Sequence, residues 1–219
     1  MIKACVFDCD GTLLDTLWSI GNSANLALQD LGYEAIPMEE YKRFVGDGAK
    51  VLIERMCRRV GDEDCSRYEE LSERYFVHFR TGCSDRVLPY DGIMPLLAAL
   101  KKRDIRITVF SNKPHAQTEK VIADAFGEGY CDAVQGQVEG IPKKPAPDGA
   151  LLIAEKLGVS TQECLYIGDT DTDMQTGRAA GMHTVGVLWG FRDREELEAN
   201  GAEHIIEHPM ELLRLTDLQ

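Results

Sequence analysis

The chain has no surplus of positive charge. Its 219 residues carry 24 Lys and Arg against 37 Asp and Glu, a formal net charge of −13. A field of that sign repels phosphate backbones and anionic headgroups, which argues against nucleic acid and membrane surfaces as partners. It also means that an anionic substrate needs a local cation, lysine or metal, to reverse the sign inside its site. Cysteine pairing is absent too. The seven cysteines are odd in number and none forms a C-x-x-C pair, so neither a zinc site nor a disulfide framework is indicated. Reduced thiols in a cytoplasmic protein are the simpler account. No apolar run is long enough to span a bilayer, and Met1-Ile2-Lys3 leads at once into the first apolar run, with no secretory leader. There is no internal repeat and no low-complexity segment.

What is there is an alternation of short apolar runs and helical patterns. Ala4–Phe7, Ile107–Phe110, Ala133–Val134, Leu165–Ile167, Thr184–Leu188 and, more weakly, His204–Ile206 read as buried strands. Between them Ile93, Leu96, Leu97 and Leu100 recur at helical spacing and run into Lys101-Lys102-Arg103, a basic end that suits a helix C-terminus. Pro114 suits the first turn of a helix through Val121, Ile122 and Ala125. Leu151, Leu152 and Leu157 continue a third, closed by Gly158. The fold class expected is α/β, a doubly wound parallel sheet with helices on both faces. About a hundred residues separate the first two strands, far more than a crossover needs. Residues 16–84 hold only helical runs, at Ser19–Leu31, Glu39–Phe44, Ala49–Val60 and Tyr68–Phe79. They are expected to form an inserted α-helical cap on an α/β core made of residues 1–15 and 85–219.

Four segments fall at expected strand ends. In Asp8-Cys9-Asp10-Gly11-Thr12 the two carboxylates stand at i and i+2, which points both to one side if the strand continues. Two acids that close repel unless a cation lies between them or one keeps its proton. The alternative is a strand running into an ordinary polar turn. Ser111-Asn112-Lys113-Pro114 is either an anion cradle at a helix start or an N-cap. Lys143-Lys144-Pro145 is either a solvated loop or an ammonium held toward a phosphate. Gly168-Asp169-Thr170-Asp171-Thr172-Asp173 carries more acid than capping needs and reads as a hard-cation site, with Asp169 and Asp173 in reach of each other across one turn. In a doubly wound sheet ligands bind beyond the carboxyl ends of the strands, so the joint occurrence of the four outweighs any one of them.

Together these segments resemble the four motifs of the haloacid dehalogenase superfamily of phosphohydrolases. Asp10-Gly11-Thr12-Leu13-Leu14-Asp15-Thr16 and Phe44-Val45-Gly46-Asp47-Gly48 are similar to its phosphoglycolate phosphatase-like branch. The resemblance implies a Mg²⁺-dependent phosphatase acting on a small phosphorylated metabolite through an aspartyl-phosphate, as a monomer or homodimer. It implies that Asp8 attacks phosphorus and that Asp10 protonates the leaving alcohol and then deprotonates water. Ser111 and Asn112 would donate to phosphate oxygens and Lys144 would neutralise phosphate charge. Mg²⁺ would be held by Asp8, Asp169 and the backbone carbonyl of Asp10, with Asp173 through water. Asp171 is expected outside that shell, and Cys9, pointing away from its neighbours, in the core. Trp189-Gly190-Phe191-Arg192 either edges the site or, the preferred reading, forms a packed turn. Arg43, Lys50 and Arg55 are candidate cations for a substrate carboxylate. A phosphomutase of the same fold uses the same four motifs. A phospho-receiver module is a more distant alternative, being shorter and without a cap.

Overall fold

The computed structural model describes residues 1–218. β1 (Ala4–Phe7) leads through a tight loop to the two-residue β2 (Leu14–Asp15) and then into four helices: α1 (Leu17–Asp30), α2 (Tyr41–Phe44), α3 (Ala49–Arg59) and α4 (Tyr68–Gly82). The chain returns through β3 (Leu88–Pro89). It continues as α5 (Ile93–Lys102), β4 (Arg106–Pro114), α6 (His115–Phe126), β5 (Ala133–Gln137), α7 (Asp148–Leu157), β6 (Cys164–Gly168), α8 (Asp171–Ala179), β7 (His183–Val187), α9 (Arg194–Ala199) and β8 (His204–Ile206).

Six strands form one parallel sheet in the order β5-β4-β1-β6-β7-β8. β1 lies inside it, between β4 and β6, and all four of its residues are buried. A strand covered on both faces reads as an unbroken apolar run, which is why Ala4–Phe7 shows no polar alternation. Its side chains still alternate. Ala4 and Val6 pack with Phe110, Ile153 and Tyr166 on one face. Cys5, Phe7 and Cys9 belong to the larger cluster on the other, with Ile107, Val109 and Leu165. The chain winds from β1 outward to β4 and β5, then crosses back to β6 and outward again. The crevice beyond β4, β1 and β6 is therefore the switch point at which such sheets bind ligands.

β2 and β3 pair antiparallel, Leu14 opposite Pro89 and Asp15 opposite Leu88, so the two strands that flank the helical segment run side by side. Apolar faces of that segment, with Ile53, Met56, Tyr75 and Phe79, join the same cluster as the sheet residues Phe7 and Val109. β4 is longer than its apolar run. Pro114 has φ −52° and ψ 139°, an extended conformation, and pairs with Gln137 rather than starting α6. Ser111, Asn112 and Lys113 thus lie on the strand, past a register shift after Phe110. Glu39–Phe44 divides into a 3₁₀ turn and the short α2. No helix among the described residues is long and apolar enough to cross a membrane.

Candidate active site

Asp8 and Asp10 both line a cavity at the end of the sheet, together with Ser111, Asn112 and Lys113. Extended geometry past Phe7 brings them there, and it turns the fully buried Cys9 into the core. Gly11 then closes the loop at φ 88°. A side chain there would also meet Asp169, because a Cβ would stand 2.3 Å from its Oδ2.

One carboxylate oxygen from each of Asp8, Asp169 and Asp173 lies within 4.8 Å of the others, and all three residues are buried. The acids are oriented by hydrogen bonds from neighbouring strand ends. The Thr12 hydroxyl donates to Asp169 Oδ1 at 2.9 Å, and the Phe191 N–H donates to Asp169 Oδ2 at 2.8 Å. Asp173 Oδ2 accepts from the Thr170 hydroxyl at 2.7 Å and the Thr170 N–H at 3.1 Å, a capping box at the start of α8. Asp171 is half-buried on the first turn of α8 and outside the triad.

Burial pushes Asp8 up from the ordinary carboxylate range to about 7; Asp173 and Asp10 add to the effect while Lys144 opposes it. Asp169 is held well above the usual range by burial and then by Asp173 and Asp8, against the pull of Phe191 N–H and Thr12. Burial also works against the two buried ammoniums, yet their acid neighbours outweigh it. Asp173 and Asp8 hold Lys144 well above the ordinary lysine value, and Asp10 holds Lys113 above it.

Four carboxylates, Asp8, Asp10, Asp169 and Asp173, face the two ammoniums of Lys113 and Lys144. Fully ionised, the acids exceed the ammoniums by two negative charges, the charge of one divalent cation. The donors are all oxygen, which suits a hard ion such as Mg²⁺. The backbone carbonyl of Asp10 takes no part in the hydrogen bonds that close its turn, Gly11 N–H to Leu14 O and Leu13 and Leu14 N–H to Cys9 O.

Two expected phosphate donors are spent differently. The Lys144 ammonium donates to Asp8 Oδ1 and Asp173 Oδ1, both at 2.7 Å, and to Phe110 O at 3.2 Å. Its three N–H groups are thereby used, so it neutralises the acids and leaves no donor for a phosphate. The Asn112 amide donates to Gly46 O and Lys144 O, each at 3.1 Å, and its oxygen accepts from Lys144 N–H at 2.8 Å. It ties three segments together instead of reaching outward. Ser111 keeps its hydroxyl proton, since its oxygen only accepts, from Lys113 N–H at 3.3 Å.

A scan against protein families matches residues 2–181 to the haloacid dehalogenase-like hydrolases. The chain belongs to that family. This haloacid dehalogenase-like hydrolase is 30% identical over 216 residues to a phosphoglycolate phosphatase of Aquifex aeolicus, covering 99% of this chain and 97% of the relative. It is also 30% identical over 223 residues to an N-acetylmuramic acid 6-phosphate phosphatase of Pseudomonas aeruginosa, covering 99% and 95%. A solved structure from Lactobacillus delbrueckii subsp. bulgaricus, provisionally described as a phosphoglycolate phosphatase, superposes with a TM-score of 0.90 at 29% identity over 99% of both chains. A likeness to a chain provisionally described as a Thermotoga maritima β-phosphoglucomutase, with a TM-score of 0.75 at 21% identity, shows the fold alone. The enzyme is a phosphoric monoester hydrolase.

Sequence reasoning missed two residues of this hydrolase's site. Lys113 lies 2.8 Å from Asp10 Oδ1 with a side chain only 2% exposed. Its signal was its place directly after Ser111-Asn112 on what proves to be a strand. Arg192 is buried and donates from its guanidinium to Lys42 O and, at 3.0 Å, to Val45 O, tying the α2 end to the loop after β7. Trp189–Arg192 forms the packed turn that the sequence favours. It packs, with Trp189 Nε1 donating to Thr12 O at 2.9 Å, but Phe191 also orients Asp169, so it edges the site as well.

Proposed function

We propose that this enzyme is a Mg²⁺-dependent phosphatase of a small metabolite, working through an aspartyl-phosphate on Asp8, with 2-phosphoglycolate the first candidate substrate. The observation that carries this is the convergence of Asp8, Asp169 and Asp173, with Asp8 and Asp10 lining one cavity. The names of the relatives support the substrate. Residues 16–84 act as the cap, closing the mouth and excluding water from the first step. Asn112 to Gly46 and Arg192 to Val45 are the closing contacts. All seven cysteines are free, which suits a cytoplasmic location.

Asp8, Asp169, Asp173 and the Asp10 carbonyl would hold Mg²⁺. When bound it offsets the repulsion between a carboxylate nucleophile and a phosphate dianion. In the first step an Asp8 oxygen forms a bond to phosphorus and the ester P–O bond breaks. Asp10, protonated, gives its proton to the departing alkoxide. In the second step Asp10 takes a proton from water as the water oxygen bonds to phosphorus. The acyl phosphate P–O bond breaks and Asp8 returns as a carboxylate. Ser111 donates to a phosphate oxygen throughout. Lys144 holds Asp8 and Asp173 in place, and positioning with charge neutralisation supplies most of the catalysis.

The test is phosphate release from an aryl phosphate and from 2-phosphoglycolate with Mg²⁺, in the native enzyme and in Asp8→Asn. The variant is expected to lose at least about a thousandfold in kcat. Undiminished turnover would remove Asp8 from the nucleophile's role. Release of phosphate without an isomerised product separates this reading from a phosphomutase.

A further inference from the structure

Arg43, Lys50 and Arg55, the helical segment's obvious cations, are all engaged away from the cavity. Arg43 pairs with Glu196 at 2.6 Å. Arg55 pairs with Asp47 at 2.7 Å and donates to Phe44 O at 2.9 Å. Lys50, with a side chain 73% exposed, lies 3.9 Å from Glu54. The wall that the segment turns toward Asp10 is apolar instead, formed by Ile20, Val45, Leu52 and Phe79. One cation lines the cavity, and it comes from the sheet: Lys113.

Its ammonium is buried and incompletely satisfied. One N–H is taken by Asp10 Oδ1 at 2.8 Å, while Nζ itself sits over the face of the Phe79 ring, 4.9 Å from its centre. The other two N–H groups meet no acceptor among the described residues. Buried donors left unmade are costly, and a ligand acceptor would remove that cost. Tyr75 lines the same cavity at 2% exposure, and its hydroxyl also has no hydrogen-bond partner among the described residues.

Distance then selects the ligand. The ester oxygen must come within hydrogen-bond reach of Asp10 to be protonated. In the phosphate of a 2-hydroxy acid a single carbon separates that oxygen from the carboxylate. The carboxylate therefore falls beside an ammonium that already touches Asp10. Beyond Lys113 the lining is Ile20, Val45, Leu52 and Phe79, against which a carboxylate carried further from the ester oxygen is unpaired.

Resting on the phosphatase reading, we propose that Lys113 and Tyr75 form the leaving-group subsite and bind the carboxylate of a phosphorylated short 2-hydroxy acid. Lys113 serves both sides of the scissile bond's acid: it orients Asp10 and reads the group that Asp10 protonates.

The experiment compares kcat/KM for 2-phosphoglycolate, for ethyl phosphate, which has the same chain without the charge, and for the phosphate of 3-hydroxypropanoate. The native enzyme is expected to prefer 2-phosphoglycolate over both by roughly 10- to 100-fold. Lys113→Met is expected to lower 2-phosphoglycolate more than ethyl phosphate by a similar factor, and Tyr75→Phe to do the same by a smaller one. Equal losses on both esters would mean that Lys113 only positions Asp10, and would overturn the proposal. If Lys113→Met does not fold, Tyr75→Phe and the chain-length series on native enzyme decide it; equal rates on the two- and three-carbon acids would overturn it. Turnover of ethyl phosphate without a carboxylate preference defeats this subsite alone. No phosphate from any ester defeats the phosphatase reading, and the subsite with it.

Discussion

Lys144 Nζ lies 2.7 Å from Asp173 Oδ1 and equally close to Asp8 Oδ1, with all three side chains at most 7% exposed. One ammonium thus joins the end of β1 to the start of α8. Removing a partner from a buried ion cluster strands the opposite charges. Lys144→Met is expected to destabilise the protein by about 3–5 kcal/mol near neutral pH. Urea unfolding measures this, and part of the loss should be regained in acid, where the stranded carboxyls protonate. Native-like stability at neutral pH would show that the cluster does not need its lysine.

Without a cation, burial raises Asp8 to about 7 and Asp169 well above its usual range. A carboxyl raised in the fold contributes stability that is present at low pH and lost as pH rises through the folded value. The metal-free protein should therefore weaken between about pH 4 and pH 7. Bound Mg²⁺ offsets that loss. At a hundredfold excess over its dissociation constant it adds about 2.7 kcal/mol, or roughly 5–10 °C in Tm. Thermal melts with Mg²⁺ and with EDTA should differ more at about pH 8 than at about pH 5. An equal shift at both, or none, would speak against the triad as the ion's site.

Arg192 donates to the carbonyls of Lys42 and Val45 and pairs with Glu196 at 2.8 Å. Arg192→Met removes these anchors from the loop that carries Gly46 and Asp47 over the cavity. Amide exchange at residues 42–48 is expected to accelerate at least about tenfold, and KM to rise several-fold, while exchange in the sheet stays unchanged. Exchange unaltered in that loop would mean that other contacts hold the mouth shut.

The sheet was readable from the sequence because each of its inner strands is buried on both faces and so writes a short unbroken apolar run. The acids were readable because Asp8, Asp10, Asp169 and Asp173 sit next to such runs, where strand ends converge. Lys113 was not, because β4 continues past its apolar residues: Pro114 stays extended, and Lys113 points inward from a segment that resembles a helix start. Asn112 and Lys144 were visible as site residues, yet their partners depend on Gly46, Phe110 and Asp173, which are distant in the chain. Arg192 belonged to a segment legible as a site edge or a packed turn, but its anchoring role had no local signal, since its acceptors are backbone carbonyls about 150 residues away.

In the proposed mechanism Asp8 carries the phosphoryl group. Replacing Asp10 by alanine removes the base for the second step, so the intermediate should accumulate when the leaving group needs no acid. Asp10→Ala, mixed with p-nitrophenyl phosphate and Mg²⁺ and quenched in acid, should gain the mass of one phosphoryl group on the peptide containing Asp8. That adduct should be absent from the Asp8→Asn, Asp10→Ala double variant. A native enzyme that releases phosphate while the adduct appears on another residue would contradict the account.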